Sequence, residues 1–304
     1  MRYMDALLDR QSRLLEGMPH LKSVIVVATP YSSSRQAPTA VSSGRIARYA
    51  WGRDYHKVIQ QRLRRLEAFI RQRSNSPVQL LRSVDKGPFP ERVLAEAAGL
   101  GFFGKNSCLI RPKFGSFFLL GLLLTDLELA PDEPIHWDCG SCTLCLQACP
   151  TQALVRPYEL DARRCIAYLT IEHRGETPED LRPKMGDWLF GCDICQEVCP
   201  YNAREAGAWP EFSSSAGGVA GGFLPLQEIL AIHTEEAFCK RFSGTPLMRA
   251  KREGLLRNAC VVAGNLQDLH LVPSLQEVYL QDSSELVRQR AALALEQIQT
   301  ADMA

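Results

Sequence analysis

The chain lacks any hydrophobic run that could cross a bilayer. Its longest, Phe117 to Leu124, is interrupted by Gly121 and falls well short of the roughly 20 apolar residues that a helical span needs. No secretory h-region and no twin-arginine leader stand ahead of the first folded pattern, which predicts a protein assembled and used in the cytoplasm with no membrane partner. An excess of one charge is missing as well. Lys and Arg number 35 against 34 Asp and Glu, and the apolar fraction is 46%, so the composition is that of an ordinary folded protein of two or three domains and names no function. A Walker phosphate loop is also absent. In Gly99-Leu-Gly101-Phe-Phe-Gly104-Lys105-Asn106 the asparagine stands where that loop requires a hydroxyl.

What is present is sulfur in a fixed register. Eight of the eleven cysteines occupy one window. The run Cys139-x2-Cys142-x2-Cys145-x3-Cys149-Pro150 reproduces the bacterial ferredoxin spacing, in which three thiolates hold one 4Fe-4S cluster and the fourth crosses to the other. The partner run, Cys192-x2-Cys195-x3-Cys199-Pro200, has only three cysteines, and Cys165 is the one cysteine between the runs. The crossing predicts a first cluster on Cys139, Cys142, Cys145 and Cys199, and a second on Cys149, Cys165, Cys192 and Cys195. Structural zinc competes for the paired Cys-x2-Cys units, although zinc does not require the proline-terminated register. Disulfides fit poorly with a reducing compartment.

Around this window the chain divides into three expected segments. Residues 1–130 read as an α/β core. Ser23 to Ala28 is a β-branched strand ending at Thr29-Pro30, followed by a Ser/Pro/Gly-rich loop to about Gly44. Val58, Ile59, Leu63, Leu66, Phe69 and Ile70 recur at helical spacing between about Asp54 and Gln72, which turns most arginines of the Arg45 to Arg73 stretch outward. Val78 to Val84 reads as a strand and Glu91 to Leu100 as a helix, with Asp85 and the turn Gly87-Pro88-Phe89-Pro90 between them. The glycine-punctuated loops at Gly99 to Asn106 and Phe114 to Phe118 permit close approach of a bound ligand. Residues 131–210 form the ferredoxin-like segment. Residues 211–304 begin with the flexible Gly217-Gly218-Val219-Ala220-Gly221-Gly222 and become helical from about Thr245. There Leu255, Leu256, Ala259, Val262 and Ala263 outline an amphipathic helix, with Arg249, Lys251, Arg252 and Arg257 as a basic edge. Asp282 to Leu295 looks like the second helix of a HEAT repeat, which must dock on the preceding helices because one repeat cannot bury itself. The fold class is therefore α+β.

The motifs resemble one family, the epoxyqueuosine reductases, which are cobalamin and iron-sulfur enzymes acting at the last step of queuosine synthesis in transfer RNA. The resemblance runs from about Val24 to Asn202. It rests on Arg48-Tyr49-Ala50-x-Gly52-Arg53-Asp54-Tyr55-His56-Lys57, Val84-Asp85 with Glu91-Arg92, the loop ending Gly104-Lys105-Asn106, and Gly115-Ser116-Phe117. Further on it rests on Asp161 to Glu172 and on Gly191-Cys192-Asp193-x-Cys195-Gln196. The resemblance implies a nitroreductase-like core, with cobalamin between that core and the clusters, cradled by Lys105, Asn106, Gly115, Ser116 and Phe117. It implies further contacts from Tyr49, His56, Ala167 and Tyr168. Ala167 stands where the family usually has serine. Family members also carry some tens of residues ahead of the point where this chain opens on Met1-Arg-Tyr-Met-Asp, implying a misassigned start or a core short of an N-terminal helix and strand.

The activity implied is reduction of the epoxide of epoxyqueuosine to queuosine. Electrons would pass from an external low-potential donor such as ferredoxin or flavodoxin through the clusters to cobalamin, with Asp85 as proton donor. Desolvation is expected to raise the pKa of Asp85. The partner is the anticodon stem-loop of transfer RNA, held by phosphate contacts from the Arg45 to Arg73 stretch, Arg163, Arg164 and the helical tail. A monomer is expected. The same parts would also suit a corrinoid reductase of a small molecule, like the reductive dehalogenases, or a non-catalytic ferredoxin-type carrier.

Overall fold

The computed structural model describes residue 16 and residues 20–31, 42–203, 207–213 and 220–302. The chain's opening, most of the Ser/Pro/Gly-rich loop and Gly217-Gly218-Val219 lie outside the described residues. Among the described residues no helix is long and apolar enough to cross a membrane.

The first sheet has three antiparallel strands in the order Ser23–Pro30, Phe118–Thr125, Leu80–Ser83. Its central strand alternates sides with period two. Leu119 and Leu123 join Ile25 and Val27 against Val58, Ile59 and Leu63 of the helix Tyr55–Arg73, whereas Phe118 and Leu120 join Val26 and Ala28 against Ala95 of the helix Glu91–Ala97. One helix therefore covers each face. Gly121 has a packing role on this strand: a Cβ there would stand 2.7 Å from Ile59 Cγ2, so its absence lets the long helix sit close. Asp54 caps that helix by accepting the His56 amide hydrogen at 3.0 Å. The expected inward stripe is shorter at one position. Phe69 is exposed and lies beneath the Arg73 guanidinium.

A second sheet pairs Ser43–Ile46 parallel to Trp188–Phe190 and antiparallel to Phe223–Pro225. It takes one strand from each expected segment, so the three parts interlock. Helices begin earlier than Thr245, at Leu226–Leu230 and Glu235–Phe242, the latter capped by Thr234.

The helix Lys251–Leu266 departs from the amphipathic expectation. It is buried on every side from Gly254 to Gly264. Glu285–Asp302 packs against it and carries Val272–Gln281, as expected for helices that cannot bury themselves alone, while Trp188–Phe190 and Ile166–Ile171 also pack on it. Two of the expected basic-edge residues are consequently interior. Arg252 makes a paired contact with Asp282 at 2.8 and 2.9 Å. Arg257, 1% exposed, donates to the carbonyls of Leu169, His173 and Gly175 at 2.7 to 3.0 Å. Neither can meet RNA.

Candidate functional site

The cysteine runs are held by short turns of helix whose amide hydrogens face sulfur. The Ala167 and Tyr168 amides point at Cys165, Ile194 at Cys192, Tyr201 at Cys199 and Leu146 at Cys145. Ala153 donates to Cys149 Sγ at 3.3 Å. Cys139, Cys142, Cys145 and Cys199 line one cavity together with Lys105, Asn106 and Tyr201. Cys165 feels the charges of Cys195 and Cys149, and Cys192 those of Cys195 and Cys165. Cys145 in turn feels the charge of Cys195 before those of Cys139 and Cys142, so the two groups of sulfurs lie close to one another. Burial pushes the thiols of Cys145, Cys165, Cys192 and Cys199 above their usual range, whereas a bound metal deprotonates its thiol ligands outright. Among the described residues no three His, Cys, Asp or Glu side chains converge on a point suited to a single metal ion. A cubane, which offers each thiolate its own iron, does not need such convergence.

Lys105, Asn106 and Ser116 join the core to this segment. The Lys105 amide donates to Cys139 Sγ at 3.4 Å and its ammonium to the carbonyls of Gly140 and Cys142 at 2.6 and 2.9 Å. Asn106 is buried and donates to the Cys195 carbonyl at 3.3 Å. The Ser116 hydroxyl accepts from Gln196 Nε2 at 3.0 Å and Asn202 Nδ2 at 2.9 Å. Gly115, at φ +86°, is where Asn202 closes on the loop: a Cβ would collide with its Oδ1. Phe117 is buried between Tyr31 and the Arg48 guanidinium. Gly115 thus admits the protein's own cluster segment, and Gln196 and Asn202, given no role from the sequence, are its hooks. Their residue types carry no spacing signal. Cys108, given no role from the sequence, stands against the Cys195 sulfur, and that contact is the largest influence raising the Cys195 pKa.

Arg45 and Arg48 are likewise engaged inside the molecule. Arg45 pairs with Asp187 and Glu197, and Arg48 with Glu197, each at 3.7 Å, while the Arg48 amide donates to Asp193 at 2.7 Å. Tyr49 packs beside Tyr55 and Phe190, and Tyr168 stands beside His173.

Asp85 closes the turn after Leu80–Ser83 at φ +54°, a left-handed conformation that a side chain seldom adopts without support. Support comes from Glu91, which accepts the Asp85 amide hydrogen at 2.7 Å. The carboxylate is 61% exposed. It accepts from the Tyr55 hydroxyl at 2.5 Å and lies 3.3 Å from His56 Nε2, whose Nδ1 is 2.7 Å from Asp54 Oδ1. Asp54, Tyr55 and Glu91, which stand in the motifs of the sequence without an expected role, are brought together with Asp85 and His56.

The electrostatics correct one expectation. Asp85 is not raised: contact with His56 is the largest influence and, with the Tyr55 hydrogen bond, holds its carboxyl below the usual range against burial. Burial disfavours the His56 cation, but hydrogen bonds to Asp54 and Asp85 outweigh it and raise the imidazole. The raised carboxyl is Glu91, pushed by burial to about 7.

Comparison with known proteins meets this geometry. The family model "Epoxyqueuosine reductase QueG, DUF1730" matches residues 12–85, and "4Fe-4S double cluster binding domain" matches residues 138–202. The epoxyqueuosine reductase of Xanthomonas campestris is 41% identical over 295 residues, covering 95% of this chain and 82% of that one. A crystal structure of epoxyqueuosine reductase with a tRNA-Tyr epoxyqueuosine-modified stem loop superposes with a TM-score of 0.85 at 33% identity, covering 93% of this chain and 75% of that one. The Bacillus subtilis enzyme, solved with its aspartate catalytic loop swung out of the active site, superposes with a TM-score of 0.82 at 31% identity, covering 97% and 83%. With a 4Fe-4S-binding segment, an aspartate at a strand end and this likeness over nearly its whole length, the chain belongs to the epoxyqueuosine reductase family.

Proposed function

We propose that the chain reduces the epoxide of epoxyqueuosine in transfer RNA to the alkene of queuosine, with Asp85 as the group that protonates the departing oxygen. The observation that carries this reading is the placement of Asp85: a largely exposed carboxylate, fixed by Glu91, Tyr55 and His56, in a chain about 41% identical to an epoxyqueuosine reductase. The aspartate loop of the Bacillus subtilis relative, which can swing out of its active site, is consistent with a residue held at a strained φ by a few side chains.

The eight cysteines are the proposed ligands of two 4Fe-4S clusters, in the sets Cys139, Cys142, Cys145, Cys199 and Cys149, Cys165, Cys192, Cys195. Amide hydrogens aimed at their sulfurs are the kind of contact that tunes cluster potential. Cobalamin fits by location. Lys105 touches Cys139 and Asn106 touches the Cys195 residue, so a redox group on this loop would lie beside both sulfur sets. Lys105 and Ser116 are engaged through side chain and backbone alike, so Asn106, Gly115, Phe117, Tyr49, His56, Ala167 and Tyr168 are the proposed neighbours of the corrin. Bound there, cobalamin would supply the two electrons that no side chain can. The chain's own part is to hold the RNA, exclude water and deliver protons. Exposed Arg64, Arg65 and Arg163 are the proposed phosphate contacts, replacing Arg45, Arg48, Arg252 and Arg257. A low-potential ferredoxin or flavodoxin as donor, a cytoplasmic location and a monomeric state complete the reading.

The test is single turnover on an epoxyqueuosine-containing stem-loop by protein reconstituted without oxygen, with cobalamin and a chemical reductant. Conversion to queuosine is expected, and Asp85→Asn should abolish it while leaving cluster absorbance unchanged. An untouched epoxide with wild-type protein in which clusters and corrinoid are loaded would refute the proposal.

A further inference from the structure

Removing an epoxide oxygen as water takes two electrons and two protons, and one carboxyl carries one proton. If Asp85 serves the departing oxygen, as proposed above, it must be recharged within each turnover. The structure contains a route. His56 Nε2 is 3.3 Å from Asp85 Oδ2, the oxygen that also accepts from Tyr55, and His56 Nδ1 is 2.7 Å from Asp54 Oδ1. Beside the imidazole lies a cavity of about 560 Å³, lined by His56, Asp54, Lys57 and Arg64 of the helix and its cap, Arg82 of the strand and Lys86 of the turn, among others. Asp85 does not line it. His56 therefore touches both the cavity and the carboxylate.

We infer that His56 is a proton-relay residue, which passes protons from the cavity to Asp85, with Asp54 orienting the ring and stabilising its cation. In the balanced step, the epoxide's two C–O bonds break, and two electrons from the external one-electron donor leave the carbons joined by a double bond. Asp85 rests as a carboxylate, so each of the two protons passes from His56 Nε2–H to Asp85 and on to the same oxygen, a solvent proton from the cavity restoring the imidazolium after each transfer, and water leaves. The arrangement resembles other sites in which a carboxylate fixes a histidine's tautomer and steadies its cation.

The groups facing His56 make the relay workable near neutrality. From its own helix they are Asp54, Tyr55, stacked at 4.0 Å, and Lys57. From the turn they are Asp85 and Lys86, and from the next helix Glu91, whose charge is felt at the imidazole. From the helical segment, Arg249 acts on Asp85. The two hydrogen-bonded carboxylates outweigh burial and hold the imidazole above its ordinary range.

The experiment is the pH profile of single turnover by the holoenzyme, from about pH 6 to 9, for wild type, His56→Ala and Asp54→Asn. Wild type should lose rate as pH rises through the raised His56 value. His56→Ala should be slower by roughly 10²- to 10⁴-fold, and added imidazole should restore part of the rate. Asp54→Asn should move the alkaline limb to lower pH, with a matching fall in the His56 titration followed by NMR in protein without substrate. If His56→Ala keeps the wild-type profile and is not rescued, or if Asp54→Asn leaves the limb in place, the relay is overturned. Should His56→Ala fail to fold, the Asp54→Asn limb decides alone. Failure of wild type to convert the epoxide at any pH would instead sink the epoxide reading and not this one's geometry.

Discussion

At the residue scale, Asp54, His56, Asp85 and Glu91 show how neighbours redistribute protons. The sequence supports a desolvated Asp85, but in the fold Tyr55 and His56 solvate it, and the buried, raised carboxyl is Glu91. This has a consequence for stability. The folded Glu91 pKa of about 7 exceeds its unfolded value of about 4.3, so the native state binds more protons between these values and loses stability as pH rises through that window. Glu91→Gln keeps an oxygen for the Asp85 amide and removes the ionisation. Its melting temperature is expected to equal wild type near pH 4 and to exceed it above about pH 7; a difference that is constant with pH would show that Glu91 does not titrate in this window. The depressed Asp54 and Asp85 work in the opposite sense: their contribution is present above about pH 4 and is lost as pH falls through their lowered folded values. The raised His56 contributes below about pH 6.5 and ceases to as pH passes its folded value.

At the scale of elements, two helices divide the work. Tyr55–Arg73 lies on the first sheet across Gly121, and Gly121→Val should overpack that contact against Ile59, at a cost of about 1–3 kcal/mol in urea unfolding. Lys251–Leu266 is the centre of the helical segment. Arg252→Ala would leave Asp282 charged, buried and unpaired, costing about 3–5 kcal/mol; a loss within 0.5 kcal/mol would mean that water reaches Asp282. Leu255, Leu256, Ala259, Val262 and Ala263 are buried as the 3.6-residue period predicts, but so is the rest of the helix's circumference from Gly254 to Gly264. Its arginines were misread, because a side chain's charge does not reveal that carbonyls of a distant loop, Leu169, His173 and Gly175, wait to accept from it. The cluster turns were more legible, since ligand spacing and prolines are local. Cys165→Ala is expected to halve the roughly eight irons per chain, measured by iron content after anaerobic reconstitution; a full complement would move Cys165 out of the ligand set.

At the scale of the molecule, charge that looks continuous in the chain is divided by folding. Arg45 and Arg48 bind acids of the cysteine segment, Arg62 binds Glu211, and Arg71 binds Glu67. Arg64 and Arg65 stay exposed. Replacing each with alanine should weaken stem-loop binding and reduce the slope of log affinity against log salt by about 0.7–0.9 per lost phosphate contact; an unchanged slope would place the RNA elsewhere.

Taken by itself, the chain determined whatever depends on neighbours a few residues apart: the cysteine register, the period-two strands, the apolar stripe of Tyr55–Arg73 and the aspartate that ends a strand. Those signals survive in one dimension because bond geometry sets their spacing. Tertiary structure alone decided which charges are spent inside, that Ser116 and Gly115 receive Gln196 and Asn202, and that His56 is raised while Asp85 is lowered. These depend on groups tens of residues apart meeting across desolvated space, where a few ångströms set the sign of an interaction that no local pattern encodes.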